Sequence, residues 1–279
     1  MIIEDAIKLG KEILQALPSP QFEAELLLAY ALQVNRSYLL AFPERALTPD
    51  IEQSFKALLT RRASGEPFAY ISGEREFYGL SFLVNEETLI PRDDTEVIVD
   101  AALDLISESY DASFSVIDLG TGSGTIALAL KKMRPNISVN AVDYYATTLE
   151  MAKKNAERNH LDIQFIESNW FTNVPTQAFD LIVSNPPYID PVDHHIDGDG
   201  VKFEPKRALI APGKGLADLF HLIETARAHF KTSGWLLLEH GYDQKSPLQE
   251  KMKEMGYQEI RTLKDYGGND RVTMGFYGV

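Results

Sequence analysis

Four consecutive residues in this 279-residue sequence, Asn185-Pro186-Pro187-Tyr188, have types and an order that could do chemistry. They follow a short apolar run, Phe179 to Val183, that reads as a strand. Two prolines in a row fix φ, remove two backbone donors and leave carbonyls without a ladder partner. Asn185, just before them, is pushed toward an extended backbone. The strand end is therefore stiff and offers two acceptors, the Asn185 side-chain oxygen and the Pro186 carbonyl. A primary amide or an amino group carries two N–H donors that suit such a pair. Tyr188 adds a flat face for a planar substrate. A rigid strand-to-loop turn with an exposed tyrosine would be written the same way, so the surroundings decide.

A second stretch, Asp118-Leu119-Gly120-Thr121-Gly122-Ser123-Gly124, lies between an apolar strand and a helical pattern. Its glycines permit a tight turn and let a ligand approach the backbone. The spacing is GxGxG rather than GxGxxG, and no Lys-Ser/Thr follows, so it matches neither a pyrophosphate fingerprint nor a P-loop. Asp143 ends the next strand, 19 residues past Gly124, where a carboxylate can accept two ribose hydroxyls. Together these suggest an adenosine ligand without a pyrophosphate, and S-adenosylmethionine fits. Ser168-Asn169-Trp170 follows a third strand on the same C-terminal edge, where open α/β sheets bind ligands. Trp170 there either stacks on or walls an adenine pocket, or lies in the core over the sheet.

These stretches need a scaffold, and the hydrophobic pattern supplies one. Residues 1 to about 66 read as helices. One apolar face runs from Ile2 to Leu17 and ends at Pro18; Ser19-Pro20 and Thr48-Pro49 look like caps followed by proline at the first helical position. A short helical turn covers Ser37 to Ala41, and Gly65-Glu66-Pro67 closes the last helix. Residues 67 to 92 carry β-formers (Phe68, Tyr70, Ile71, Phe77, Tyr78, Phe82, Val84) broken by Gly73 and Gly79, which reads as a hairpin linking two domains. Asp94 or Thr95 then caps a helix to about Ile106.

From Ser115 the period is βαβ, with strands at Phe114 to Leu119, Ile137 to Val142, Ile163 to Ile166, Phe179 to Val183 and Trp235 to Glu239. Helices fall at Ile126 to Met133, Thr147 to Asn159, Leu216 to Phe230 and near Gln244 to Met255. This predicts an α/β fold, a doubly wound and mainly parallel sheet. The loop Lys264 to Asp270 between the last two strands is too short for a parallel crossover, so the final strand is expected to be antiparallel. The expected domains are 1–66, a helical unit; 67–92, a hairpin linker; and 93–279, the sheet domain.

Composition narrows the classes. Hydrophobic content is 44% and charged content 24%, as in globular proteins. The absence of cysteine excludes disulfides, thiol nucleophiles and zinc-thiolate sites and accords with a reducing cytosol. No apolar run approaches the roughly 18 residues of a membrane span, and the mixed-charge N-terminus reads as neither signal nor transit peptide. A formal net charge of −14 opposes nucleic acid binding. The His194-His195 pair has no further ligands clustered with it and reads as loop. No metal, membrane or direct nucleic acid partner is therefore expected, and the expected location is the cytoplasm.

The chain resembles the PrmC/HemK release-factor glutamine methyltransferases nearly end to end. The resemblance rests on Gly65-Glu66-Pro67 with Tyr70-Ile71-Ser72-Gly73, Leu89-Ile90-Pro91-Arg92, the Asp118–Gly124 loop and Val183-Ser184-Asn185-Pro186-Pro187-Tyr188-Ile189. Glu204-Pro205, Ala208-Leu209, Gly213 and Gly215-Leu216 continue it. It implies a helical N-terminal substrate-recognition domain, a hairpin linker and a seven-stranded Rossmann-like methyltransferase domain. It implies methylation of the glutamine N5 in the Gly-Gly-Gln motif of peptide chain release factors, with S-adenosylhomocysteine as product. It puts the cofactor on Gly120, Thr121, Gly122, Ser123, Gly124, Asp143, Trp170 and Asn185. It puts the substrate glutamine on Asn185, Pro186, Pro187 and Tyr188, with Asn185, Pro186 and Tyr188 as the catalytic set. Departures are Asp93 where the family has a second proline, Asn169 where it commonly has Asp, and Tyr144-Tyr145-Ala146 where it commonly carries a Ser.

The motif holds no His, Cys, Asp or Glu, so positioning rather than a dedicated base is the expected mechanism. Other readings share the site: a glutamine methyltransferase of a ribosomal protein, an N6-adenine methyltransferase of nucleic acid acting on a flipped base, and a non-catalytic cofactor-binding regulator. The acidic charge and the lack of a basic base-reading domain weigh against the second, and the intact Asn185–Tyr188 site against the third.

Overall fold

A computed structural model describes residues 1–106, 113–176, 178–193, 198 and 200–278. The His194-His195 pair lies outside the described residues. The chain divides into two compact units, Met1–Gly73 and Glu74–Val279.

The first unit is helical: α1 (Ile3–Ile13), α2 (Pro20–Leu32), α3 (Arg36–Ala41), α4 (Pro49–Ala63) and α5 (Phe68–Ser72). Its core gathers Ile3, Leu14, Leu27, Leu28, Phe55 and Leu59. A Cβ on Gly10 would stand 2.6 Å from the Ala24 Cβ, so α1 and α2 approach as closely as only glycine allows. Arg62, buried on α4, pairs with Glu23 through Nε at 2.9 Å and Nη2 at 3.1 Å. Three local expectations change. Helix α1 stops at Ile13, short of Pro18. Ser19 stands at the N-cap of α2 but makes no side-chain cap bond, whereas Thr48 accepts from Ile51 N at 3.4 Å. Phe68, Tyr70 and Ile71, expected in a strand, form α5, started by Pro67 and stopped by Gly73 at φ 75°.

The second unit opens with a hairpin, β1 (Glu74–Phe77) and β2 (Leu80–Leu83), then α6 (Glu96–Leu105). The α/β alternation follows: β3 (Ser115–Leu119), α7 (Thr125–Met133), β4 (Ser138–Asp143), α8 (Ala146–Arg158), β5 (Gln164–Glu167), β6 (Phe179–Ser184), α9 (Ala217–Thr225), β7 (Phe230–Glu239), α10 (Lys245–Glu254), β8 (Gln258–Lys264) and β9 (Asp270–Gly278). Among the described residues these strands make one seven-stranded sheet in the order β5-β4-β3-β6-β7-β9-β8. Its members are parallel except β9, which inserts antiparallel between β7 and β8. The expected Rossmann-like sheet with an antiparallel last strand is thus present.

Phe230, expected at a helix end, instead begins β7. The β6–β7 register shifts between Phe179 and Leu181, and a Cβ on Gly234 would lie 2.6 Å from the Asp180 carbonyl. A bulge with a glycine at its crowded point carries the strand five residues further back than the expected start at Trp235. Thr95, offered as a helix cap, makes no side-chain cap bond.

Candidate active site

Strand β3 pairs with β4 on one side and β6 on the other. Leu119 stands beside both Val142 and Ser184, so Gly120, Asp143 and Asn185 leave adjacent strands at one edge. Chain order reverses there, the position where open α/β sheets form a crevice. A cavity of about 300 Å³ opens at it. Of the residues singled out in the sequence, Gly120, Thr121, Gly122, Ser123, Asp143, Trp170, Asn185 and Pro187 border the cavity. Gly124, Pro186 and Tyr188 do not.

The glycine loop is held from beneath. Asp118, fully buried, accepts the Thr121 hydroxyl at 2.6 Å and the Ala127 N–H at 3.2 Å through Oδ2. Its Oδ1 has no partner, and burial pushes the carboxyl up to about 7. Thr121 N–H donates to the Val142 carbonyl at 2.8 Å, and Asn155 Nδ2 donates to the Ser123 carbonyl at 2.9 Å. Gly120 and Gly124 take φ of 70° and 89°, in the left-handed region. A Cβ at Gly120 would lie 3.4 Å from the Trp170 ring, so the indole walls the loop side of the cavity. The Trp170 indole also donates to Asp218, whose carboxyl burial pushes upward.

Asp143 is committed through both oxygens. Oδ2 accepts Gly122 N–H at 3.0 Å and Oδ1 accepts Tyr145 N–H at 3.1 Å. Burial raises its carboxyl against these bonds. Each oxygen keeps a second lone pair. The unusual Tyr144-Tyr145 step places two rings edge to face, 4.9 Å apart, and the Arg207 guanidinium lies 4.4 Å from the Tyr145 ring centre. Arg207 pairs with Glu87, and Arg92 with the buried Glu204, tying the segment after the Asn-Pro-Pro-Tyr turn to the cavity wall at Glu87–Arg92. Asn169 borders the cavity. Asp93 is exposed and pairs with Arg75 at 2.5 Å, a contact worth little at a surface.

The Asn185 turn is braced from behind by residues that sequence reasoning did not select. Asn185 Nδ2 donates to Thr95 Oγ1 at 3.3 Å. Pro186 is buried. Tyr188 packs against the sheet core, and its hydroxyl donates to Glu239 Oε1 at 3.2 Å. Glu239 is 1% exposed, and burial pushes it up to about 7; it does not border the cavity. Gln244 Nε2 donates to the Tyr188 carbonyl at 2.9 Å. A Cβ on Gly215 would sit 2.0 Å from that carbonyl oxygen, so only glycine lets the chain pass there. Thr95 and Glu239 lie 90 and 54 positions from Asn185. Their one sequence signal is their type: a hydroxyl and a carboxylate at the ends of apolar runs. Among the described residues no group of His, Asp and Glu is arranged to hold a metal, and no helix is long and apolar enough to cross a membrane.

Comparison with known proteins adds to this geometry. Residues 95–197 match the methyltransferase small domain and residues 5–73 the PrmC N-terminal domain. The chain is 46% identical over 258 residues to the release factor glutamine methyltransferase of Shewanella oneidensis, covering 92% of this chain and 89% of that protein. It is 43% identical over 265 residues to that of Escherichia coli, covering 95% of each. A methyltransferase structure from Pyrococcus furiosus shares the fold at TM-score 0.55 and 20% identity, covering 80% of this chain and 98% of that one.

Proposed function

The chain belongs to the release factor glutamine methyltransferases, and from that premise we propose that it methylates the side-chain amide nitrogen of the glutamine in the Gly-Gly-Gln motif of peptide chain release factors. The methyl donor in this reading is S-adenosylmethionine. The observation that carries it is the pairing of Leu119 with Ser184. A loop suited to an adenosyl group and a turn suited to an NH₂ group thereby share one cavity.

The residues present suit that cofactor. Trp170 gives the cavity an aromatic wall against Gly120, and Asp143 brings a carboxylate with spare lone pairs to its edge. In this reading Gly120 to Gly124, Asp143, Trp170 and Asn185 hold it. When bound, it supplies an electrophilic methyl group on a sulfonium sulfur. The glutamine amide nitrogen is a weak nucleophile because its lone pair is delocalised into its carbonyl. Asn185 Oδ1 and the Pro186 carbonyl accept its two N–H bonds, fix its direction and favour its pyramidalisation. Pro187 borders the glutamine, and Tyr188 anchors the turn. The acceleration comes from positioning and fixed dipoles. Proton loss follows methyl transfer, so no base needs to reach the nitrogen.

An NH₂-sized site cannot tell one glutamine from another. The first unit, Met1–Gly73, supplies the remote contacts that recognise the folded substrate. The chain's charge of −14 steers it toward basic residues around the glutamine loop. The reaction belongs to the cytoplasm. The test is incubation with methyl-labelled cofactor and whole cytosolic extract. Label in a release factor is expected; label in a ribosomal protein or in nucleic acid adenine would replace this reading with one of its rivals.

A further inference from the structure

Behind the Asn185–Tyr188 turn, three separate stretches of chain meet at one buried carboxylate, Glu239, at the end of β7. Leu238 pairs with Ser184, so Glu239 stands beside the residue that opens the turn. Tyr188 donates its hydroxyl to Oε1 at 3.2 Å. Oε2 is buried with no hydrogen-bond partner. Thr95, 4% exposed, is the side chain whose hydroxyl most favours the ionised form of this carboxylate. Thr95 Oγ1 in turn receives Asn185 Nδ2 at 3.3 Å. The other charged groups around Glu239 are Arg271 from β9 and Asp94 from the turn before α6. Arg271 is held by Asp265 at 2.9 Å and lies 3.5 Å from Asp94. His240, next in the chain, has both ring nitrogens engaged, by the Gly241 carbonyl at 2.7 Å and Thr273 Oγ1 at 2.8 Å.

The direction of these bonds matters more than their number. An asparagine amide offers an acceptor on one side and two donors on the other. Only the acceptor side can receive an incoming NH₂ group. A threonine hydroxyl works either way, with one proton to give and lone pairs to receive. Burial raises Glu239 while Thr95, Arg271 and Tyr188 favour its ionised form, and in that form the carboxylate only accepts. It therefore takes the Tyr188 proton, and its orphan oxygen draws the Thr95 proton, since a buried acceptor left unpaired is costly. With its single proton committed, Thr95 can only accept from Asn185. That turns Asn185 Nδ2 inward and leaves Oδ1 for the cavity that Asn185 borders.

We infer that Glu239 is a positioning residue: acting through Thr95, it sets the direction of hydrogen bonding so that Asn185 presents its carbonyl oxygen, not its N–H groups, to the substrate's NH₂. The inference deepens the proposed function and rests on it for the identity of that NH₂ group.

The near-isosteric change Glu239→Gln tests it. A glutamine can donate to Thr95 Oγ1, which frees the Thr95 proton to point at Asn185 and drives that amide to flip. Turnover at saturating cofactor should fall about 10²-fold, the scale for losing one positioned electrostatic contact. Cofactor affinity should fall far less, because the glycine loop is untouched, and the melting temperature should not drop, because the packing is kept and a buried charge is removed. Thr95→Val should lose as much, and Thr95→Ser should restore most of it. The double variant Glu239→Gln with Thr95→Val should be no slower than either single one, since both break one chain of bonds. Wild-type turnover in Glu239→Gln, or single losses that multiply in the double variant, would overturn the inference.

A second measurement does not depend on the substrate. In the cofactor-bound enzyme, the Asn185 side-chain NH₂ protons, identified by their absence in Asn185→Ala, should show a nuclear Overhauser contact to the Thr95 methyl. That contact should vanish in Glu239→Gln. The same contact at full strength in both proteins would also overturn the inference. A wild-type enzyme that shows the contact but leaves release factors unmodified would sink the proposed function instead.

Discussion

Asp143→Asn separates the cofactor site from the substrate site. The carboxylate now accepts Gly122 N–H at 3.0 Å and Tyr145 N–H at 3.1 Å, one through each oxygen. An asparagine keeps one oxygen, so either Gly122 or Tyr145 must face an NH₂, donor against donor. The glycine loop loses its tether or the turn into α8 does, and ribose hydroxyls lose a charged acceptor. A hydrogen bond to a charged group is worth about 1.5–3 kcal/mol. Cofactor binding should therefore weaken roughly 10- to 150-fold. Stability should change much less, because burial already disfavours the charge and removing it offsets the lost bond. Calorimetric titration with S-adenosylmethionine, alongside thermal unfolding, reads both quantities. An unchanged cofactor affinity would refute the ribose-binding role, and an affinity loss matched by an equal loss of stability would reduce Asp143 to a loop brace.

Asn185→Ala removes one of the two proposed acceptors and should slow turnover by about 10²–10³ with a far smaller change in cofactor affinity; equal losses in both would assign Asn185 to the cofactor alone. Removing Met1–Gly73 should leave cofactor binding largely intact and abolish methylation of an intact release factor; full-rate methylation by the folded remainder would end the division of labour. Asp118, pushed up to about 7, is protonated more readily in the folded than in the unfolded chain, so its contribution to stability is lost as pH rises from about 4 to about 7. Asp118→Asn should gain on the wild type over that window by up to about 1.4 kcal/mol per pH unit; urea titrations giving a constant difference would contradict the assignment.

The sheet and its two chemical loops were legible because each is local. The GxGxG turn, the Asp at the end of β4 and the Asn-Pro-Pro-Tyr step announce themselves within a few residues, and continuous apolar runs mark strands covered on both faces. What was not legible depends on distant neighbours. The β-forming Phe68, Tyr70 and Ile71 became helix because Ala69, Tyr70 and Ile71 are all buried there and Pro67 and Gly73 fit its two ends. The first residues of β7 lack an apolar pattern, with Lys231 and Thr232 exposed, and Gly234 was the only local sign of a bulge. Thr95 read as a cap because a threonine before a helix usually is one. Its bond to Asn185, 90 positions away, has no trace in local sequence. Glu239 is likewise one acidic residue after an apolar run until β7 sets it behind Tyr188.

The central claim is that the turn after β6 receives the glutamine of a Gly-Gly-Gln motif. The direct measurement uses purified enzyme, S-adenosylmethionine and a purified release factor, followed by peptide mass spectrometry of the factor. One methyl group should appear on the amide nitrogen of that glutamine, and none on a factor in which the glutamine is replaced by alanine. A factor left unmodified by an enzyme that binds the cofactor, or a methyl group carried by both forms of the factor, would contradict the claim.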